Sequence, residues 1–332
     1  MRALVTGGGG FLGGAIVGRL LARGDTVVSF ARGDYPTLAA RGVRVMRGDL
    51  ADPEAVSAAA AGCEVVFHVA ALPGVWGPYE AFHRANVLGT LNVLAACRAH
   101  GVGRVVYTST PSVVHAGGDL EDVDESAPYA ERFAAHYPAT KAEAERAVLA
   151  ANGPDLATVA LRPHLVWGPR DNHLFPRVVA RARAGRLRLV GGGLKRIDTV
   201  YVDNAAEAHL LAADHLKPGA ACAGRTYFVT NDDARRQADI INGMLAAAGL
   251  PPCERSISPA VAYAAGAVLE TVWRVLRRTD EPMMTRFVAR QLSTAHHYDI
   301  SAIKRDLGYA PTVSIDEGLA RLKAWFEAGQ PA

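Results

Sequence analysis

The sequence has few residues that form disulfides or bind metals. Its four cysteines include no Cys-x-x-Cys pair, and no group of cysteines and histidines has the spacing of a zinc finger. We therefore predict reduced thiols, no metal site and a cytoplasmic location. No secretion signal is expected, because Met1 leads directly into an apolar segment with the pattern of a core strand.

Charge of one sign and compositional bias are also scarce. The 332 residues carry a formal net charge of only +3, half of them are hydrophobic, and no internal repeat or low-complexity segment is present. So small a charge gives no reason to expect a nucleic-acid partner, although it mildly favours an anionic ligand. The composition is that of a globular protein with a large core.

Short apolar runs alternate with helical patterns through the first half of the chain. Strands are predicted at residues 3–5, 26–30, 43–46, 65–69 and 104–109, and helices at 11–23, 53–61, 86–100 and 138–151. This alternation is typical of βαβ units. We therefore predict an α/β fold with a doubly wound parallel sheet of the Rossmann type.

The pattern becomes less regular after a further predicted strand at 157–162. We predict a dinucleotide-binding Rossmann domain over residues 1–170 and a smaller, mostly helical substrate-binding lobe over 171–332. Within that lobe, residues 198–215 contain a short strand and a helix, and we expect them to return to the Rossmann domain.

A glycine-rich string follows the first predicted strand. Gly7, Gly10 and Gly13 have G-x-x-G-x-x-G spacing, and Phe11 and Leu12 begin a helix between them. Residues without Cβ permit a tight turn and a close approach to a pyrophosphate, while the N–H groups at the helix start point at its phosphates. The position between a strand and an amphipathic helix favours dinucleotide binding over a flexible loop.

The end of the second strand bears on the choice of dinucleotide. An acid there would bind the adenosine ribose hydroxyl of NAD, whereas an arginine would pair with the 2′-phosphate of NADP. The chain has Ala31 at this position, followed by Arg32, and Asp34 lies beyond in a turn. We therefore predict NADP(H); the alternative interpretation of Arg32 is a solvated surface arginine.

Two further pairs are weaker signals for the cofactor. Asp49 and Leu50 follow the third strand, where they would face the adenine. Ala70 and Ala71 follow the fourth strand and provide small side chains where the backbone must pass close to the cofactor.

One of the ten tyrosines, Tyr137, is followed four residues later by a lysine, Lys141. On a helix the two side chains share a face, so the ammonium can lower the phenol pKa and hold the nicotinamide ribose. Such a phenol can give a proton to a carbonyl oxygen or take it back. The hydroxyls of Ser109 and Thr110, at the end of the fifth strand, can hold a substrate carbonyl.

Together these motifs resemble the extended short-chain dehydrogenase/reductase family, and within it the 3β-hydroxysteroid dehydrogenase-like branch. The similarity covers the string from Gly7 to Gly13, Asp49-Leu50, Asn86 in Asn-Val-Leu-Gly-Thr, the strand-end hydroxyls, Tyr-x-x-x-Lys, Arg162-Pro163, Trp167-Gly168-Pro169 and Asp203-Asn204. That is most of the chain.

The resemblance implies a role for each matching residue. Tyr137 would be the acid/base and Lys141 its activator. Thr110 would polarise the carbonyl, with Ser109 as the competing choice. Asn86 would order a water in the proton relay, and Pro163 would contact the cofactor.

Residues 107–113, 161–169 and 186–191 are most similar to bacterial reductases of 2-alkyl-3-oxoalkanoic acids within that branch. This similarity implies NADPH-dependent reduction of a lipid-like β-keto acid in a long-chain olefin or β-lactone pathway, a homodimer, and contact with neighbouring pathway enzymes. A 3β-hydroxysteroid or sterol dehydrogenase, a sugar-nucleotide epimerase or reductase, and an NADP-sensing protein without catalysis are the alternatives.

Three features are candidates for substrate contact, and each has a simpler interpretation. Trp76 and Tyr79 either line the cleft or pack within their own loop. The arginines at 177, 181 and 183 are more simply a solvated helix face. We interpret the apolar segment 259–276 as a buried lid over the acyl chain, in preference to a partner surface or a peripheral membrane contact.

Overall fold

The computed structural model describes residues 1–329, in which a large parallel sheet carries helices on both faces. The strands are β1 (Arg2–Thr6), β2 (Thr26–Ala31), β3 (Arg44–Arg47), β4 (Val65–His68), β5 (Arg104–Thr108), β6 (Leu120–Val123), β7 (Ala157–Pro163), β8 (Val166–Trp167), β9 (Leu189–Val190), β10 (Arg196–Ile197), β11 (Val200–Tyr201), β12 (Arg225–Val229), β13 (Arg235–Arg236), β14 (Ser256–Ile257) and β15 (His296–Tyr298).

The helices follow the same alternation. They are α1 (Phe11–Ala22), α2 (Pro36–Ala39), α3 (Pro53–Ala60), α4 (Tyr79–Phe82), α5 (Gly89–His100), α6 (His136–Ala150), α7 (Leu174–Arg183), α8 (Val202–His215), α9 (Gln237–Ala247), α10 (Pro259–Val275), α11 (Arg286–Gln291), α12 (Ser301–Leu307) and α13 (Ile315–Glu327). A π-helical turn, His83–Leu88, joins α4 to α5, and Pro111–Val113 and Gly191–Gly193 are 3₁₀ turns.

Seven parallel strands form the main sheet in the order β3-β2-β1-β4-β5-β7-β12. The prediction of a doubly wound parallel sheet is therefore confirmed. The direction of winding reverses between β1 and β4, which pair in register from Ala3 with Val65 to Thr6 with His68. In open α/β sheets, ligands bind outside the carboxyl ends of the strands at such a switch point.

The two faces of the sheet bury separate hydrophobic cores. On β1, Ala3 and Val5 belong to the core that includes Ile16 of α1, whereas Leu4 belongs to the core that includes Val66 of β4. A strand covered on both faces is apolar at most positions, and this explains the nearly continuous apolar runs of the sequence. The strand ends are thereby fixed in position, and they carry the site.

The second half of the chain contributes both to the sheet and to a smaller lobe. Helix α8 packs against α1. Strand β12 pairs with β7 and forms an edge of the main sheet, although the predicted lobe over 171–332 did not assign it there. The run Arg225–Val229 is short, with buried side chains only from Tyr227 to Val229, and such a run does not reveal its sheet from sequence alone. A second, four-stranded sheet has the order β13-β10-β15-β6.

Helix α10 has one buried and one exposed face. Ala262, Gly266 and Glu270 are buried against the protein, while Val268 and Val275 are 62% and 75% exposed. The prediction of a buried lid is therefore wrong for the outward face, because the apolar residues of this segment surround the helix instead of forming one inward stripe. Among residues 1–329, no helix combines the length and the apolar character needed to cross a membrane.

Candidate active site

A cleft of about 700 Å³ opens at the carboxyl edge of the sheet, beside the switch point. Its lining includes Gly7, Gly10, Phe11, Leu12, Gly13, Arg32, Asp49, Leu50, Ala70, Ala71, Ser109, Thr110, Tyr137 and Pro163. The structure thus brings together every residue predicted to bind the cofactor except Lys141, which lies behind the lining. It also gathers the strand-end hydroxyls with the tyrosine in one cleft.

The glycine loop forms a cradle that side chains would fill. Gly7 has a φ of +71°, a left-handed conformation that favours glycine, and a Cβ placed on it would lie 3.1 Å from the Cα of Ala70. A Cβ on Gly13 would overlap the carbonyl oxygen of Gly7. Gly10 precedes α1 without a side-chain cap, so the first N–H groups of the helix are available to a ligand. This cradle fits the pyrophosphate of a dinucleotide.

A buried histidine that the sequence reasoning did not select holds the two strand ends together. His68, at the end of β4, has its Nδ1 2.8 Å from the Thr6 hydroxyl and its Nε2 2.9 Å from the Thr90 hydroxyl. Thr90 donates to the carbonyl of Asn86, so it accepts from His68 Nε2–H, and His68 Nδ1 accepts from Thr6. The Thr6 oxygen in turn accepts from the N–H of Ala70.

The buried position of His68 in this network also determines its charge state. Burial, with a smaller contribution from the nearby positive charge of Lys141, lowers the pKa of His68 to about 3. The neutral ring is therefore the form that joins β1 to β4 beneath the glycine loop. A histidine after the apolar Val65–Phe67 run was the available sequence signal.

The predicted adenosine end is more exposed. Arg32 is exposed on the cleft rim, and its carbonyl accepts from Arg47 Nε at 3.0 Å. Asp49 accepts from the N–H of Ala51 at 2.9 Å, and this bond, with help from Arg84, lowers the pKa of the Asp49 carboxyl. Tyr35, which the sequence reasoning did not select, also lines the cleft.

Tyr137 lies in the first turn of α6, and Thr110 starts the 3₁₀ turn after β5. Thr110 Oγ1 accepts from the N–H of Ser112 at 3.2 Å, which fixes the hydroxyl at the cleft. Burial is the main cause that raises the pKa of Tyr137 to about 12, and the nearby Thr110 hydroxyl acts in the opposite direction. The two hydroxyls are therefore adjacent, and the phenol keeps its proton at neutral pH.

Lys141 follows one turn later on α6, fully buried. Its Nζ donates to the carbonyl of Thr108 at 2.6 Å and lies 4.0 Å from the centroid of the Tyr107 ring. Burial lowers the pKa of Lys141 to about 7, and the nearby Glu145 offsets part of this effect. Desolvation is the largest influence on the Tyr137 phenol, and the expectation that Lys141 lowers the pKa of Tyr137 stays a prediction.

Asn86 occupies the π-helical turn and does not line the cleft. Its Oδ1 accepts from the N–H of Leu72 at 2.7 Å, and its Nδ2 donates to the Leu72 carbonyl at 3.2 Å and to Thr140 Oγ1 at 3.0 Å. The side chain therefore ties the cleft-lining segment at Leu72 to α6. A role in ordering a relay water stays a prediction.

Ser109 differs from Thr110 in its contacts. Its hydroxyl is buried and has no hydrogen-bond partner within residues 1–329. Its backbone N–H donates to the carbonyl of Leu161 at 2.6 Å, which holds the strand end in place. An unpaired buried hydroxyl at a cleft is a group that a ligand can satisfy.

Trp76 and Tyr79, for which lining of the cleft was one of two interpretations, are absent from its lining. The indole N–H of Trp76 donates to the carbonyl of Arg278 at 3.1 Å, and Tyr79 packs against the rings of His83 and His136. Both aromatic side chains therefore make their contacts outside the cleft lining. The simpler interpretation, packing around the loop, is the one that the structure has.

The arginines of α7 also have partners away from the cleft. Arg177 pairs with Glu281 at 3.2 Å, and Arg181 donates to the carbonyl of Met283 at 2.9 Å. These contacts join α7 to the segment after α10.

Comparison with known proteins agrees with the fold and shows the family. Residues 4–255 match the model of the 3-beta hydroxysteroid dehydrogenase/isomerase family. The chain is 55% identical over 326 residues to a 2-alkyl-3-oxoalkanoate reductase of Stenotrophomonas maltophilia (strain K279a), covering 98% of this chain and 99% of the relative. It is 34% identical over 328 residues to a mouse (Mus musculus) sterol-4-alpha-carboxylate 3-dehydrogenase, decarboxylating, covering 96% and 89%.

A solved structure shows the same architecture. The UDP-glucose 4-epimerase of Thermus thermophilus, in complex with NAD, matches with a TM-score of 0.74 and 28% identity, covering 98% of this chain and 99% of that one. The family predicted from the sequence is thereby confirmed. The chain belongs to the 3-beta hydroxysteroid dehydrogenase/isomerase family and is an oxidoreductase with the extended short-chain dehydrogenase/reductase fold.

Proposed function

We propose that this protein uses NADPH to reduce the 3-keto group of a 2-alkyl-3-oxoalkanoic acid, giving the 2-alkyl-3-hydroxy acid. The observation that carries the proposal is the adjacency of the Tyr137 and Thr110 hydroxyls in the same cleft as the glycine loop. The relative with 55% identity over almost the whole chain is named for this keto acid.

Two hydroxyls of this chain would act on the keto oxygen. When bound, NADPH supplies a hydride to the keto carbon, and the cradle at Gly7 and Gly13 would hold its pyrophosphate. Thr110 donates a hydrogen bond to the keto oxygen, which polarises the carbonyl. Tyr137, protonated at neutral pH, gives that oxygen its proton, so that the ketone becomes an alcohol.

Lys141 would assist from beneath the cleft. Its hydrogen bond to Thr108 holds α6 against β5, and this contact sets the position of Tyr137 relative to Thr110. A phenolate is left when Tyr137 loses its proton, and the ammonium one turn away on the same helix face stabilises that charge. Because the pKa of Lys141 is about 7, this stabilisation weakens as the pH rises through neutrality.

The preference for NADPH rests on the end of β2. Ala31 offers no carboxylate to a ribose hydroxyl, and Arg32 reaches the cleft rim. In Arg32→Gln, we expect the Michaelis constant for NADPH to rise about tenfold, because one charge-assisted phosphate contact is lost, with little change for NADH. Equal changes for both dinucleotides would contradict this role.

The sterol relative suggests a second candidate substrate. A sterol 4-carboxylate that is oxidised at C3 has its carboxyl group on the carbon next to the oxidised carbon, as a 2-alkyl-3-oxo acid does. A 3β-hydroxy sterol acid is therefore the second candidate. In both compounds, the carbon that reacts is β to the carboxylate.

The test follows NADPH oxidation by absorbance with a 2-alkyl-3-oxo acid, a 3-oxosteroid that carries a 4-carboxylate and a 3-oxo ester lacking the carboxylate. Turnover of the keto acid that is lost in Tyr137→Phe would support the proposal. Turnover of the steroid alone would select the second candidate, and no turnover of any keto compound would overturn both. The homodimer, the contact with neighbouring pathway enzymes and the cytoplasmic location stay predictions.

A further inference from the structure

The outward face of α10 is an apolar surface without a partner in the part of the chain described. Four valines dominate it: Val261 is 56% exposed, Val268 62%, Val272 39% and Val275 75%. They recur at intervals of seven, four and three residues, so they share one side of the helix. We call these four residues the valine face.

The rest of this side of the helix is also apolar. Ala264 and Ala265 lie between the valines, and Thr271 is the one residue there with a polar side chain. The Thr271 hydroxyl donates to the carbonyl of Ala267 within the helix at 2.8 Å, so its hydrogen-bonding need is already met. The named residues of this face therefore present no side-chain group that must hydrogen-bond to water. Such a continuous apolar surface is unusual where a protein faces solvent.

Positive charge borders the valine face. Between residues 259 and 278 the sequence has three arginines and one acid, and Arg278 pairs with Asp280 just beyond the helix at 2.7 Å. That acid, Glu270, is buried on the opposite side of α10 and is paired with Arg286 at 2.8 Å and with Arg274 at 3.5 Å. Arg274 and Arg277 are exposed at the carboxyl end of the helix. An apolar face bordered by arginines complements a surface with an apolar interior and anionic headgroups.

The carboxyl end of α10 also contacts the loop beside the cleft. Trp76 donates to the carbonyl of Arg278 at 3.1 Å, and the Arg274 guanidinium lies 5.8 Å from the Trp76 ring centroid. The same loop begins just after Leu72 and Pro73, which line the cleft. A surface that receives α10 would therefore lie beside the mouth of the cleft.

We propose that the valine face of α10 lies in the plane of an anionic membrane surface, where the protein takes up its lipid-like substrate. The choice of substrate rests on the function proposed above, whereas membrane contact rests on α10 alone. The helix rests within the interface and does not cross it, in agreement with its 17 residues. Long-chain keto acids partition into lipid, so the contact brings the cleft to the phase that holds them.

Binding is measured by co-sedimentation of the full chain with vesicles of phosphatidylethanolamine and phosphatidylglycerol, without substrate. Vesicles of phosphatidylcholine alone are the uncharged comparison. The double variant Val268→Ser/Val272→Ser should bind at least tenfold more weakly, because the apolar contact is lost. Val268→Leu/Val272→Leu should retain binding. Leu91→Ser, which changes a residue on α5 that is 45% exposed, between Val272 and Val268, is the matched control.

The arginines are tested in the same assay. Arg274→Gln/Arg277→Gln should lose several-fold affinity for the anionic vesicles and most of the salt sensitivity of binding, with no change on phosphatidylcholine. Failure of the wild type to sediment with anionic vesicles would overturn the proposal, and so would equal binding by the serine variant. A lipid-free oligomer that the serine variant dissociates would assign the face to a second copy of the chain and would also overturn it.

Turnover separates this proposal from the proposed function. With a short, water-soluble 2-alkyl-3-oxo acid, the serine variant should match the wild type. With a long-chain keto acid presented in anionic vesicles, it should be at least fivefold slower. Vesicle binding without turnover of any keto acid would overturn the proposed function and leave the membrane contact standing. Equal rates on the vesicle-borne substrate would overturn uptake from the membrane.

Discussion

The two ends of the cleft are built by different means. At the nucleotide end, Gly7 and Gly13 leave a space that a Cβ would fill, so the site consists of backbone. At the catalytic end, Tyr137, Thr110 and Lys141 form the site with side chains that are held by hydrogen bonds and by burial. Substitution should therefore act by steric overlap at the first end and by chemistry and charge at the second.

Each end also contains a buried basic group that burial moves toward its neutral form. His68 lies beneath the glycine loop with a pKa near 3, and Lys141 lies beneath the tyrosine with a pKa near 7. Near neutral pH, His68 is therefore a hydrogen-bonding linker, while Lys141 is close to its point of titration. The first should affect stability in acid, and the second should affect it in base.

Removing the phenolic hydroxyl of Tyr137 should give the largest change in activity. The change should be confined to the catalytic end of the cleft. For Tyr137→Phe we expect kcat to fall about 10²- to 10⁴-fold, as is typical when a general acid is lost. Dinucleotide affinity, measured by fluorescence titration, should stay within about twofold. Tyr79→Phe, a tyrosine outside the cleft lining, is the control. A matching loss of dinucleotide affinity would contradict the separation of the two ends.

A Cβ placed in the glycine-loop cradle should have the opposite result and weaken dinucleotide binding. In Gly13→Ala the new Cβ overlaps the Gly7 carbonyl, and we expect dinucleotide affinity to fall about 10- to 100-fold, the range for overpacking a rigid site. Gly14→Ala is the matched control, because its Cβ would meet the Gly8 carbonyl oxygen at an ordinary contact distance of 3.6 Å. Affinity is measured in the same titration. Equal losses in the two variants would show that the loop is flexible.

Replacing the buried ammonium of Lys141 should change the free energy of unfolding by a smaller amount, and this change should depend on pH. The pKa of Lys141 is about 7 in the folded protein against 10.5 normally, so the unfolded chain holds more protons between these values. The free energy of unfolding of the wild type should therefore rise relative to Lys141→Met as the pH rises from 7, by up to about 1.4 kcal/mol per pH unit. Urea unfolding at pH 7 and pH 9 measures it, with exposed Lys217→Met as the control. A difference that does not change with pH would contradict the burial of charge.

The histidine should give a pH dependence of similar slope to that of Lys141, but in acid. The pKa of His68 falls from 6.5 to about 3 on folding, so its stabilising contribution is complete above pH 6.5 and is lost as the pH falls toward 3. His68→Gln should reduce the acid sensitivity of unfolding by up to about 1.4 kcal/mol per pH unit within this window. The exposed His215→Gln should leave the slope unchanged. An unchanged slope in His68→Gln would show that His68 titrates normally.

The sequence by itself determined those parts of the protein that short-range patterns encode. Alternating apolar runs predicted the parallel sheet, and the glycine spacing, the Tyr137–Lys141 interval and the strand-end hydroxyls predicted the lining of the cleft. Turns, helix faces and strand ends depend on neighbours within a few residues, and this is why such patterns can be recognised in one dimension.

Only the tertiary structure decided the features that depend on contacts between distant segments. It placed β12 in the main sheet, directed Lys141 to the Thr108 carbonyl, joined His68 to Thr6 and Thr90, and turned the valine face of α10 outward. Burial and pKa depend on which surfaces meet, and an apolar helix has the same composition whether its second face is covered or not.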